Sequence, residues 1–196
     1  MSNSQTNHSL SEIIVQAEAI AGDVKAIFGD LDFRQINWKP SAESWSVGQC
    51  FDHLMTTNRQ YFPQFDQIIK GEKRWTLWQR MPFLPGFFGN LVFGVISPSS
   101  DKKYKAPKNF QPTSSKIDPR IITNFVEHQS EVIEKMKASG GIDLENMIIS
   151  SPASKVVIYS LFDAFRIIVA HERRHFNQAK RVMEAEGFPK LEGITK

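Results

Sequence analysis

At 196 residues, with 41% apolar side chains and 11 glycines, the chain has the size and composition of one globular domain, which excludes intrinsic disorder and collagen-like repeats. Its net charge of +3, from 24 basic and 21 acidic residues, is too small to make nucleic acid the first expectation for a partner. A single cysteine, Cys50, excludes internal disulfides and multi-cysteine zinc or iron–sulfur sites, and suits a reducing compartment.

Met1 to Ser9 is polar and lacks the basic and apolar regions of a signal peptide, so the expected location is cytoplasmic. The first helical pattern follows, with Leu10, Ile13, Ile14, Ala17, Ile20, Val24, Ile27 and Phe28 on one stripe behind a cap at Ser9 or Ser11. A second opens at Ser46, a favourable N-cap, runs through Val47, Phe51, Leu54, Asn58, Phe62, Phe65 and Ile69, and stops at Gly71, with a kink expected at Pro63. Glu72 to Ile117 forms a long insertion holding five of the ten prolines and the aromatic residues Trp75, Trp78, Phe83, Phe87, Phe88 and Phe93. Within it, Met81 to Ile96 carries no charge but is too short and too rich in Pro and Gly for a membrane span. Asp101 to Arg120 has six basic residues against two acidic ones. An insertion this long predicts one or two short helices packed across one end or side of the domain, covering a groove or contributing to a homodimer interface. The third pattern, from Asp118-Pro119 to Gly140-Gly141, carries Ile122, Phe125, Val126, Val132, Ile133 and Met136. A fourth begins at Ser160, with Asp163 three residues on, and carries Leu161, Phe165, Ile168, Val169, Phe176, Ala179 and Met183 as far as Gly187. No strong strand pattern is visible. Four such stripes predict an all-α fold, a four-helix bundle occupying residues 1–196 as one domain.

Phosphate-binding glycine loops, dinucleotide fingerprints and serine elbows are missing, which leaves the histidines. His8 falls in the polar terminus, and His128 projects well off the third stripe, so both read as structural or exposed. His171 and His175 differ: their i, i+4 spacing stacks two imidazoles on one helical face, a geometry suited to chelating a transition metal. His171-Glu172-Arg173-Arg174-His175 also spells H-E-x-x-H, in which the glutamate is a metalloprotease base. That reading is disfavoured, because Gln178 and Arg181 replace the Gly and His of the extended motif. Glu172 points into the apolar arc, where hydrogen bonds or a cation must meet it unless it is displaced to the rim. His53, on the second helix, is a candidate third ligand, but it lies far from the centre of its own apolar stripe, and spacing alone leaves it open. Cys50, one turn before it, reads as a small buried hydrophobe rather than a ligand.

Trp45-Ser46-x-x-Gln49-x-x-x-His53-Leu54 and His171-x-x-x-His175-x-x-Gln178 resemble, in order and separation, the paired motifs of the DinB-like (YfiT-like) four-helix-bundle family. The likeness covers roughly Ser9 to Gly187, although the insertion is larger than in the simplest members. It implies a divalent transition metal, zinc or nickel as first choices, held by His53, His171 and His175. It also implies metal-dependent transfer or hydrolysis on a small-molecule substrate, with a low-molecular-weight thiol among the candidate partners. Three imidazoles leave open coordination positions, as in catalytic sites. Glu172 is then a candidate for moving protons, and Gln178 for orienting a ligand or substrate. A non-catalytic bundle that keeps the histidines for stability or partner binding is the alternative.

Overall fold

The computed structural model describes residues 2–74, 76–80, 84–96 and 110–190. Four long helices frame it: α1 (Ser2–Phe28), α3 (Val47–Arg59), α6 (Ile121–Ala138) and α7 (Leu161–Glu184). Between α1 and α3 lies the short α2 (Phe33–Asn37). Each long helix is amphipathic, and burying its stripe fixes its neighbours: α1 packs on α6 and α7, and α3 packs on the same two. Ala17, Ile20, Val24 and Phe28 of α1 meet Phe51, Phe125, Phe165 and Phe176 in the common core. Phe51 lies at its centre, with ring centroids 5.1 Å from Phe28 and 5.0 Å from Phe125.

Local signals set most helix ends. Ser46 Oγ accepts from the Gln49 amide at 3.2 Å while Gln49 Oε1 accepts from the Ser46 amide at 3.2 Å, a reciprocal cap for α3. Ser160 Oγ accepts from the Asp163 amide at 3.0 Å and starts α7 as its sequence predicts. α1 begins well before Ser9, since no proline or glycine interrupts propagation from Ser2. The second predicted helix is broken rather than kinked. α3 ends at Arg59 and a separate α4 (Phe62–Ile69) follows, with Pro63 in the first turn, where its missing N–H leaves no bond unmade. α2 is also additional to the predicted elements, although Asp32 and Gln35 form its capping box.

A hairpin of β1 (Ile148–Ser151) and β2 (Ser154–Ser160) precedes α7, pairing Ile149 with Tyr159 and Ser150 with Ile158 and carrying an irregularity after Ser150. The strands are held by α4. Gln64 Nε2 donates to the Ser150 carbonyl at 2.9 Å, its Oε1 accepts from the Ser150 amide at 3.1 Å, and the Tyr61 and Tyr159 hydroxyls lie 2.7 Å apart.

The described part of the insertion runs along this hairpin and α7. Its helix α5 (Leu84–Ile96) packs on β2 and α7. Trp78 Nε1 donates to the Val156 carbonyl at 2.8 Å, and Arg174 Nη1 to the Val95 carbonyl at 2.9 Å. Packing is one-sided: Phe87 and Leu91 on the outer face are 63% and 52% exposed. Trp75, Phe83 and the lysines before Phe110 lie outside the described residues. None of the described helices is long and apolar enough to cross a membrane.

The end of the insertion returns over α3. Phe110 and Ile117 are buried, and Thr113 donates to Asp52 Oδ2 from its amide at 2.5 Å and its hydroxyl at 2.9 Å. Gln49 Nε2 reaches the Ser114 carbonyl at 3.2 Å. Close approach depends on Gly48, where an added Cβ would sit 2.7 Å from Ile36 Cγ2 and 2.9 Å from Ile117 Cβ. Gly48→Ala is therefore expected to destabilise the fold by about 1–3 kcal/mol, the usual penalty for overpacking, read as a lowered midpoint of chemical denaturation.

Candidate metal centre

α3 and α7 bring His53, His171 and His175 together, with one ring nitrogen of each within 4.8 Å of the others, a cluster that could hold a metal ion. His171 Nε2 lies 3.3 Å from His53 Nε2 and 3.1 Å from His175 Nε2. His53 and His175 are buried and His171 is half-buried. Although His53 lies off the apolar stripe of α3, the returning segment around Phe110 covers that side of the helix.

The proton inventory favours a cation. His53 Nδ1 bonds to the Phe110 carbonyl, which only accepts, so Nδ1 carries the proton and Nε2 of the neutral ring presents a lone pair. His171 Nε2 has two imidazole nitrogens beside it and at most one proton, so the three atoms cannot all be satisfied by each other. One cation facing three lone pairs would satisfy them together. Two nitrogens about 2.1 Å from a shared ion are about 3.0–3.4 Å apart for bond angles from square to tetrahedral, and both observed separations fall in that range. These residues fit a divalent transition metal.

Electrostatics keep the donors unprotonated. Burial lowers His53, opposed by its bond to the Phe110 carbonyl and by Asp52. Burial, then the neighbouring His53 and the Arg174 guanidinium, push His171 down to about 3. His175 is well below the ordinary imidazole range through burial, His171, His53 and Arg174, and Gln178 beside it pulls the other way. Near neutral pH, protons therefore compete little with a metal for these nitrogens.

Trp45 forms a wall of the site: its ring stacks on His175 at 5.6 Å and 22°, and tilts against His53 at 4.8 Å. Each residue of the first motif has a place, with Leu54 in the hydrophobic core. Trp45 packs on two of the imidazoles, Ser46 and Gln49 cap α3, Gln49 also ties down the segment carrying the Phe110 carbonyl, and His53 faces the centre. Spacing carries no signal for the Phe110 contact, because the group involved is a loop carbonyl.

The other candidates lie elsewhere. Glu172 is fully buried and accepts from Asn58 Nδ2 through Oε1 and from Gln129 Nε2 through Oε2, both at 2.8 Å. Hydrogen bonds, rather than a rim position, thus meet this carboxylate; the polar Asn58 within an apolar stripe was the sequence signal for them. Burial still raises Glu172 to about 7, against the pull of those two amides. Cys50 is not in the histidine cluster, and burial pushes its thiol up to about 12, which makes it inert. His128 is buried rather than exposed, stacks on Phe62 at 5.3 Å, and has both ring nitrogens without a hydrogen-bond partner among the described residues.

Together the fold and the site define a helical-bundle protein with a tri-histidine cluster suited to a metal. The chain belongs to the DinB superfamily, whose family model matches residues 16–179 and so spans all three histidines. No curated protein and no solved structure matches the chain significantly.

Proposed function

We propose that this protein is a metal-dependent transferase or hydrolase that acts on a small substrate through a divalent ion held by His53, His171 and His175. The convergence of three Nε2 atoms, with 3.1 and 3.3 Å between neighbours, supports this reading above all. A zinc or nickel ion with three neutral ligands and open positions supplies Lewis acidity, activating a water or a thiol as nucleophile near neutral pH. The chain supplies the rest. The Phe110 carbonyl fixes the tautomer and ring orientation of His53, Trp45 excludes water from one side, and Gln178 orients the ligand or substrate beside His175. Because the lone thiol, Cys50, is buried and held protonated, a thiol reactant must come from solution, which favours a low-molecular-weight thiol as co-substrate. In transfer, that thiol releases its proton to solvent water, its sulfur lone pair forms the new bond to an electrophilic carbon, and the leaving group departs with the electron pair of the broken bond and takes up a proton from water. We assign no proton transfer to Glu172, whose two oxygens are both engaged. The reading extends to a cytoplasmic enzyme, in keeping with one unpaired cysteine, and to a homodimer.

Metal analysis of untagged protein purified without chelator tests the proposal. About one zinc or nickel per chain is expected, together with a higher melting temperature on adding either ion. Empty protein whose melting is unmoved by zinc, nickel or manganese would leave the non-catalytic bundle as the correct reading.

A further inference from the structure

We propose that the buried Asn58–Glu172–Gln129 cluster is a positioning device that sets α3 against α7, so that His53 meets His171 and His175, and that it acts through hydrogen-bond geometry rather than proton transfer. The proposal rests on the tri-histidine reading, but it concerns atoms outside that cluster. Glu172 is adjacent to His171 and three residues from His175, while Asn58 is five residues from His53 on α3. The 2.8 Å bond from Asn58 Nδ2 to Glu172 Oε1 therefore ties the two ligand-bearing helices close to their ligands. On the other oxygen, Gln129 Nε2 adds α6 at 2.8 Å and also reaches the Ala17 carbonyl of α1 at 3.4 Å. All four long helices are joined at this point. Asn58, Gln129 and Glu172 are each 0% exposed, so bulk solvent does not compete for these groups and each link is electrostatically strengthened. Slippage of α3 along α7 by one ångström would lengthen or bend the Asn58 bond and alter the 3.3 Å spacing of His53 and His171 Nε2, each by up to about one ångström.

Two unpaired atoms distinguish geometry from charge. Asn58 Oδ1 and Gln129 Oε1 are buried without a hydrogen-bond partner among the described residues. A glutamine at position 172 would accept from one amide through its oxygen. After a flip of the other amide, its own NH2 would donate to the carbonyl oxygen now unpaired. Both links survive this change, whereas a group that must carry a proton or a negative charge does not.

The test uses the full chain with Glu172→Ala, Glu172→Gln and Asn58→Ala, and with His175→Ala as the ligand control. Zinc affinity is measured by competition with a chromophoric chelator, and site geometry by the visible spectrum of the cobalt(II) form. Glu172→Ala and Asn58→Ala are expected to weaken zinc about tenfold to a hundredfold and to shift the cobalt bands, as loss of an outer partner does at other metal sites. Glu172→Gln is expected to stay within about threefold of the parent, with unchanged bands. Parent-like binding by Glu172→Ala, or Glu172→Gln as weak as alanine, overturns the proposal. In metal-free protein, the ring proton and nitrogen resonances of His53 and His171 are expected to move in the alanine variants and not in Glu172→Gln; unmoved resonances also overturn it. If the parent takes up no metal, the metal reading fails, and these resonances alone decide the positioning role. Should Glu172→Ala not fold, Asn58→Ala set against Glu172→Gln makes the same comparison.

Discussion

Alanine in place of His53, His171 or His175 is expected to abolish tight binding of zinc or nickel, one substitution at a time. Zinc sites with four protein ligands release about 10–16 kcal/mol on binding, or about 3 kcal/mol per ligand, so losing one of three imidazoles should weaken binding more than about a hundredfold. Metal content after dialysis and isothermal titration both read this. Stability of the metal-free chain should respond less and unevenly. His53→Ala strands the buried Phe110 carbonyl and is expected to cost about 1–3 kcal/mol, whereas half-buried His171 holds no comparable partner among the described residues. His128→Ala is the control, because His128 packs on Phe62 outside the cluster. If His128→Ala loses metal while His53→Ala keeps it, the ligand set is wrong.

Acid is expected to unfold the metal-free protein far more readily than its modest net charge suggests. Burial, with a smaller contribution from Arg59, lowers His128 from 6.5 to about 4, and His53, His171 and His175 are lowered as well. With each folded value below its unfolded one, the unfolded chain takes up protons first. The associated stability is complete above pH 6.5 and is lost as pH falls from there towards 4. For His128 alone this amounts to about 3 kcal/mol across that interval, at about 1.4 kcal/mol per pH unit. Glu172 acts in the opposite sense. Its carboxyl is raised from 4.5 to about 7, so the folded chain takes up that proton first, and this contribution is lost as pH rises through 7. Glu145, raised chiefly by partial burial, acts in the same sense as Glu172, but four lowered histidines outweigh two raised carboxyls, so the net effect is acid destabilisation. Denaturation midpoints at pH 7, 6 and 5 should fall steadily. His128→Phe, which replaces two unpaired buried nitrogens with a ring able to stack on Phe62, should raise stability at pH 7 by about 1 kcal/mol and flatten the slope by about one proton. A slope the same in parent and His128→Phe would remove His128 from this account.

The features legible in the sequence are those that a few neighbouring residues decide. Stripes at spacings of three and four fall in α1, α3, α6 and α7, and Ser46 and Ser160 cap α3 and α7. His171 and His175 were legible for the same reason, since one turn of a single helix brings their rings to 4.6 Å. Gly71, in the left-handed region at φ 70°, ends α4 as a glycine stop should. In contrast, Pro63 predicted a kink in one helix, whereas packing of α4 against α6 and its bonds to the β1 strand make it the start of a new one. The hairpin escaped notice because its short strands gain much of their support from Gln64 and Tyr61 on another element.

His53 marks the division most clearly. Its own helix placed it far from the apolar stripe, and the motif resemblance, rather than periodicity, assigned it to the metal. What buries it is a segment more than fifty residues away in sequence, delivered by Thr113 on Asp52, Ser114 on Gln49 and Ile117 against Gly48. The sequence by itself determined four amphipathic helices, two of their caps and one pair of imidazoles, because each depends on contacts within a turn or two of chain. Only the tertiary structure decided which carbonyl fixes His53, which ring walls the site and what meets Glu172 in the core. Those contacts join residues far apart in sequence, and a hydrogen bond made over such a separation leaves no periodic mark in the chain.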